Sequence, residues 1–344
     1  MIVLSDKNIR ENLFPFTLTR HAADIRVGIL TIKEKWELLL GQPVCLDDTA
    51  VGTTIPASVI PTLGNYKAII QAAKKGEALQ ETEFIKIISF PWHIFQLNAY
   101  AIGEDFALLT QQTATAKLDS SNKIIGGRQT FIGQNVSISH AMLNDTTGPI
   151  YIAAGAQIME GCMIRGPFSL GENSMLKMGT KIYGATTVGP NCVVGGEVKN
   201  SVIFGHSNKA HDGYLGDSVI GEWCNLGAGS SNSNVKNTAG NIGYTIEKDT
   251  QAIYAGNKAG LLMGDYSRAA INTAFNTGTT VGVCCNIFGH IMPDKYIDNF
   301  SWGSDKYIFE KAIMDIDNWK KMKNKTITDV EINTLRKLYE QSLK

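Results

Sequence analysis

Large aliphatic residues recur at every sixth position across one stretch of the chain: Ile152, Ile158, Ile164, Leu170, Leu176, Ile182, Val188 and Val194. A helix repeats near 3.6 residues and a strand near two, so neither period alone yields a step of six. Three short strands per coil, each turning one aliphatic side chain inward, do yield it, and the pattern predicts a parallel β-helix. Four residues after each aliphatic stand Ala156, Cys162, Phe168, Ser174, Thr180, Thr186, Cys192 and Val198. Most are small, as a second inward position beside a tight corner requires. Gly155, Gly161, Asn173, Gly179 and Asn191 fall three residues after an aliphatic, where a sharp corner favours residues that tolerate positive φ.

The same rhythm begins at Ile132 and Ile138 and is interrupted around Asn144 to Pro149. It breaks after Lys199 into a loop, Gly205 to Gly213, and resumes at Leu215, Ile220 and Leu226. A second excursion, about Thr238 to Leu262, carries Tyr244, Tyr254 and several glycines. The repeat is expected to return near Ile271 and Val281 and to end around Phe288. Excursions from a solenoid commonly gather on one face and build its site; a plain surface loop is the alternative.

Outside the repeat the patterns change. Ile2 to Leu4 reads as a strand, Tyr66 to Lys75 as a helix, and Phe84 to Phe90 as a strand closed by Pro91, so residues 1–110 form a small α/β unit. The polar stretch from Thr110 to Asn122 suggests a linker over 111–124, with the coil spanning 125–300. The tail, 301–344, reads as helical. Ile308, Ala312, Ile316 and Trp319 share one face, and Thr328 with Glu331 forms a capping box ahead of Leu335, Leu338 and Tyr339.

At 344 residues the chain can hold two domains with substantial cores. Its 32 basic and 32 acidic residues balance, which leaves no electrostatic footprint for nucleic acid or an anionic membrane. No apolar run reaches membrane-spanning length, and the opening MIVLSDKNIREN does not read as a signal peptide. The six cysteines have no metal-ligand spacing, and no metal site is expected among them; buried free thiols in a cytoplasmic protein are the expectation.

Two stretches resemble known families. Leu13 to Gly28, LFPFTLTRHAADIRVG, is similar to the segment that follows the phosphate loop in sugar-1-phosphate nucleotidyltransferases. Those enzymes cradle a triphosphate on a glycine-rich loop, whereas Ser5 to Glu11 here contains no glycine. The resemblance therefore implies a shortened, catalytically silent relative, with Arg20 and Arg26 either phosphate ligands or structural arginines.

His211 to Asn234, HDGYLGDSVIGEWCNLGAGSSNSN, resembles the acetyltransferase half of the bifunctional N-acetylglucosamine-1-phosphate uridylyltransferase / glucosamine-1-phosphate acetyltransferase family. That family has a histidine three residues before Y-[LV]-G-D, then I-G, N-x-G-A-G and a further asparagine, with a lysine twelve residues before the histidine. The matching positions here are His211, Tyr214 to Asp217, Ile220-Gly221, Asn225 to Gly229, Asn234 and Lys199. The resemblance covers about residues 125–290. It implies a left-handed, hexapeptide-repeat β-helix assembled as a homotrimer with sites between subunits.

It further implies N-acetyl transfer from acetyl-CoA to an amino-sugar phosphate, glucosamine-1-phosphate before others. An amine attacking a thioester needs a base that titrates near neutral pH, and His211 is the candidate. Lys199 would hold the sugar phosphate. Lys177, in a Leu-Lys-Met-Gly context where the family has an arginine, would assist as a point charge rather than a bidentate fork. Tyr214, Asn225 and Asn234 would bind sugar and acyl group, and the backbone at Ala228 would receive the pantetheine arm. His21, His93, His140, His206 and His290 lack such a frame and read as structural or surface residues. Two other readings compete: a sugar-1-phosphate nucleotidyltransferase using UTP or dTTP with Mg²⁺, alone or as one half of a bifunctional enzyme, and a non-catalytic sugar-nucleotide-binding coil.

Overall fold

The computed structural model describes residues 1–111, 115–289 and 291–343, so His290, residues 112–114 of the expected linker and Lys344 lie outside the described residues. Among the described residues, three sheets of nine, ten and six strands wrap around one axis as a parallel β-helix, parallel throughout except where Asp305–Lys306 turns back antiparallel on Ser301–Trp302. One coil shows the order: Ile150–Ile152 on the nine-stranded first face, Gln157–Ile158 on the second, Met163–Arg165 on the third, then Phe168–Leu170 back on the first. Register is parallel from coil to coil, as in Ile152, Leu170, Val188.

The interior is the six-residue column. Ile152 to Val194 are all buried, and so are the second inward positions from Ala156 to Val198. The expected corners carry positive φ, from 54° at Asn173 to 76° at Gly161. At the first-to-second corner this conformation continues up the coil through His206, Trp223, Tyr266, Cys284 and Phe300. Each of His206, Trp223 and Tyr266 donates its N–H to a carbonyl of the coil below.

Three stretches differ from expectation. The span 205–213 is not a loop: it contains the strand Asn208–Lys209 in a shortened coil, with Lys209 opposite Val194. The upper repeat runs through Met263, Ala269, Phe275, Val281 and Ile287, all buried, whereas Ile271 is 68% exposed. The coil also continues past Phe288 to Tyr296–Ile297 and Ser301–Trp302. At its other end, Ala116 N–H already donates to Ile132, and Leu118 packs on the coil interior.

The N-terminal unit has the strand Ile2–Ser5 and the helix Tyr66–Lys74, while the expected strand 84–90 shortens to Lys86–Ile87. Its core is shared with the coil. Phe16, Trp92 and Phe95 belong to one buried cluster with Val202, Phe204, Val219 and Leu262, outward residues of the first face. Thr187 Oγ1 donates to Gly28 O at 2.8 Å, and Asn98 Nδ2 to Ala185 O at 2.9 Å. The excursion after Thr238 forms an antiparallel hairpin, Ile242–Tyr244 with Ile253–Gly256. It closes over this unit: Trp92 stacks on the buried Tyr244 at 5.4 Å, and Gln96 donates to Ala255 O.

Helices Phe309–Lys321 and Asp329–Gln341 dock on the aromatic upper corner, and the Thr328–Glu331 capping box is present. The buried face is Phe309, Ala312, Ile316 and Lys320, because Ile308 is the N-cap and lies 64% exposed. All six cysteines are free and five are buried. No helix among the described residues is long and apolar enough to cross a membrane.

Candidate active site

The corner between the second and third faces carries His211. Its side chain is exposed, and among the described residues no side chain hydrogen-bonds the imidazole. Its carbonyl accepts from Lys209 Nζ at 2.6 Å. One coil above, Gly229 N–H donates to Asp212 O at 2.9 Å, which sets Ala228 and Gly229 over the histidine corner. Ala228 is half-buried, and its carbonyl already accepts from Asn272 N–H. Asn225 lies just before this corner, half-buried on the second face opposite Asn208. Lys177 occupies the same corner two coils lower, about 10 Å away at the usual spacing between strands.

The third face carries Lys199 and Tyr214. Register sets Tyr214 beside Glu197, and Lys199 between Tyr183 and Gly216. Gly216 has a steric reason to be glycine: a Cβ there would meet Tyr214 Oη at 2.3 Å and Cε1 at 2.6 Å. The Tyr214 ring thus folds across Gly216, and its Oη accepts from Asn234 Nδ2 at 3.1 Å. Burial and the Asp217 carboxylate push the Tyr214 phenol upward, so it stays neutral and able to donate. The neighbouring Tyr183 donates to Glu197 Oε1 at 2.6 Å, and that bond leads the causes that push its phenol up to about 12.

Sequence reasoning missed the residue that ties this face together. Asp217, only 3% exposed, accepts from Asn200 Nδ2 at 2.7 Å and from Asn234 Nδ2. Its own N–H donates to Lys199 O at 3.1 Å, and its carbonyl accepts from Gly260 N–H at 2.8 Å. Asn200 and Asp217 have φ of 45° and 47°, the left-handed region in which short polar side chains are enriched. That pairing of an Asn and an Asp at stacked corners was the readable signal. Asn232 was missed as well: its amide both accepts from Gly216 N–H at 2.9 Å and donates to Gly216 O at 3.0 Å, standing in for a strand partner.

The residues thus fall into two groups. His211 and Ala228 share one corner, with Asn225 at its edge and Lys177 farther down. Lys199, Tyr214 and Asn234 share the adjoining face through Asp217. The corner could offer a base, and the face a cation and neutral hydrogen-bonding groups. Among the described residues, no group of three or more His, Cys, Asp or Glu could hold a metal ion.

The N-terminal loop is filled from within. After the strand Ile2–Ser5, Asp6 is 6% exposed and accepts from Ala22 N–H at 3.0 Å and Arg10 Nη1 at 2.8 Å. Arg20 lies half-buried against Asp265 of the coil, with Glu222 at 3.6 Å, and Arg26 lies 3.5 Å from Glu34. Both arginines are engaged in ion pairs.

Residues 2–57 match the model of a family described as sugar nucleotidyl transferase. The chain is 32% identical over 117 residues to the bifunctional protein GlmU of Methanocaldococcus jannaschii, covering 33% of this chain and 28% of that protein. It is 27% identical over 201 residues to a bifunctional sugar-1-phosphate nucleotidylyltransferase/acetyltransferase of Sulfurisphaera tokodaii, covering 58% of this chain and 44% of the relative. These matches span less than half of each relative's length. An Arabidopsis UDP-N-acetylglucosamine acyltransferase structure aligns with 65% of this chain and 90% of its own at 12% identity and a TM-score of 0.35. The chain is thus similar in part to bifunctional proteins of the GlmU kind, with a segment like a sugar nucleotidyl transferase at residues 2–57 ahead of the parallel β-helix.

Proposed function

We propose that the chain is a transferase of sugar-nucleotide biosynthesis that moves the acetyl group of acetyl-CoA onto the amine of an amino-sugar phosphate, glucosamine-1-phosphate being the first acceptor to test. The observation that carries this reading is the Tyr214–Asn234–Asp217 arrangement beside Lys199, one corner away from an unanchored, exposed histidine. In this mechanism Lys199 neutralises the sugar phosphate, with Lys177 adding charge from below. Tyr214, Asn234 and Asn225 hold the sugar and the acyl oxygen. The pantetheine arm runs past Ala228.

His211 accepts the proton as the amine nitrogen bonds to the thioester carbon. The tetrahedral intermediate then collapses with cleavage of the carbon–sulfur bond, and the proton on His211 passes to the departing thiolate. Amide and free CoA are the products. The test is thiol release from acetyl-CoA in the presence of glucosamine-1-phosphate. His211→Ala is expected to lower kcat by about 10²- to 10⁴-fold, the usual contribution of a positioned base. A full rate in that variant would remove His211 from the mechanism.

The active form in this proposal is a cytoplasmic homotrimer. Met142, Met163 and Tyr183 line part of a 480 Å³ groove on the third face, and they are exposed enough to meet a second copy. Sedimentation at three times the chain mass is the expected result.

The match over residues 2–57 favours a second reading, nucleotidyl transfer from UTP or dTTP with Mg²⁺. The glycine-free stretch Ser5 to Glu11 weighs against it, since a triphosphate cradle needs close approach of the backbone. Mg²⁺-dependent pyrophosphate release with a sugar-1-phosphate would establish it.

A further inference from the structure

Along the second face the inward column reads Ile138, Ile158, Leu176, Val194, Lys209, Leu226, Ala269, Ile287. Every member is aliphatic except Lys209. That lysine is 3% exposed, and its ammonium donates to Gly195 O at 3.0 Å and to His211 O at 2.6 Å. Burying a cation inside an apolar coil is costly. Burial pushes this amine down to about 8, with only Asp212 pulling it back up. A methionine or leucine would fit the column better, so the charge needs a reason beyond packing.

The reason lies at the adjacent corner. Among the described residues no side chain anchors the His211 imidazole, so its position depends on the main chain that carries it. Among the described residues three bonds hold that main chain: Lys209 to the His211 carbonyl, Gly229 N–H to Asp212 O at 2.9 Å, and Glu197 N–H to Gly213 O at 3.2 Å. The first alone acts on His211 itself, and it alone is charge-assisted. We propose that Lys209 is a positioning residue for His211, fixing from inside the coil the backbone from which the base reaches its substrate. This rests on the reading of His211 as the base. It adds a residue that the family motif does not assign and that ordinary composition rules place on the surface.

The experiment uses the full chain with Lys209→Met, which keeps length and removes the donor, and Lys209→Gln, which keeps a neutral N–H donor. Under acetyl transfer to glucosamine-1-phosphate, kcat is expected to fall roughly 10- to 100-fold in the Met variant, the scale of an ångström-sized misplacement. The Gln variant should lie between, and KM for both substrates should stay within about twofold. Tm at pH 7 should not drop in the Met variant, because a buried charge has been replaced by an apolar chain. Wild-type kcat in the Met variant overturns the proposal, and so does a loss of kcat that accompanies a lower Tm.

Amide hydrogen exchange supplies a readout that needs no turnover. Exchange at Gly229 and Glu197 should quicken in the Met variant, and unchanged exchange overturns the proposal. If the wild-type chain transfers no acetyl group to any amino-sugar phosphate, the functional reading falls. The exchange arm then decides by itself whether Lys209 holds this corner.

Discussion

Asp217 shows how much one side chain can organise here. Its carboxylate takes an amide N–H from each of Asn200 and Asn234, and its backbone joins Lys199 to Gly260. Asp217→Ala leaves the Asn200 amide without its acceptor and the Asn234 amide with Tyr214 Oη alone in a half-buried site, so a loss of about 2–3 kcal/mol in denaturant unfolding is expected. Tyr214→Phe is milder. It removes one hydrogen bond to Asn234, so it should lower stability by about 1 kcal/mol in the melting curve and raise the acceptor KM by roughly fivefold. Gly216→Ala drives a methyl into the Tyr214 ring and should raise the same KM further, since the ring must leave its place. Lys199, Tyr214 and Asn234 were legible because their spacing from His211 follows a motif. Asp217 belonged to that motif but had no assigned role, because an acid after a glycine reads as a turn. Lys209 was illegible for a different reason: lysine is among the residues most rarely buried, so pattern reading takes it as an outward position.

The first-to-second corner sets the character of each element that packs on it. Its lower coils carry Gly155, Asn173 and Asn191, which suit positive φ, and its upper coils carry His206, Trp223, Tyr266 and Phe300 in the same conformation. Bulky residues are strained there. Contacts with the C-terminal helices offset that strain: Phe300 and Tyr339 pack edge to face at 5.0 Å, and Lys320 lies 5.1 Å over Trp223. His206 stacks on Trp223 at 4.3 Å, and burial, with Lys325, Lys323 and Lys320 nearby, pushes its imidazole down to about 4. The sign follows. Between about 4 and the ordinary 6.5 the unfolded chain binds the proton more readily, so stability is full above 6.5 and is lost as pH falls through that window. A loss on the order of 1–2 kcal/mol is expected between pH 7 and pH 5 after discounting for partial exposure. Melting curves at the two pH values should show it, and His206→Asn should flatten the difference. The six-residue rhythm was readable wherever both inward positions are apolar or small. It broke after Lys199 and resumed only at Leu215 because the coil shortens there, with Val188 opposite Ile203 and Val194 opposite Lys209, fifteen residues on.

At the scale of the whole molecule the N-terminal unit and the coil close one core between them, which no local pattern could announce: Val202, Phe204 and Val219 fit the rhythm as well as any exposed residues would. A coil lacking residues 1–110 would bare these side chains, and it should be recovered largely as aggregate, bind a hydrophobic dye, or both. Within the unit, Lys35 and Asp105 form a fully buried ion pair, and Asp105 also accepts from Ile29 and Leu30 N–H. Asp105→Ala strands the ammonium and should cost about 3–5 kcal/mol in unfolding experiments. The shared core also orders events during synthesis. The ribosome releases Phe16, Trp92 and Phe95 first, whereas the wall they pack on is complete only when Leu262 has emerged. At ordinary elongation rates of about 5–20 residues per second, that interval lasts on the order of 10–30 s. Through it the nascent unit stands with an unmet aromatic face, so the chain's yield should depend on chaperone supply and translation speed more than its native stability would suggest.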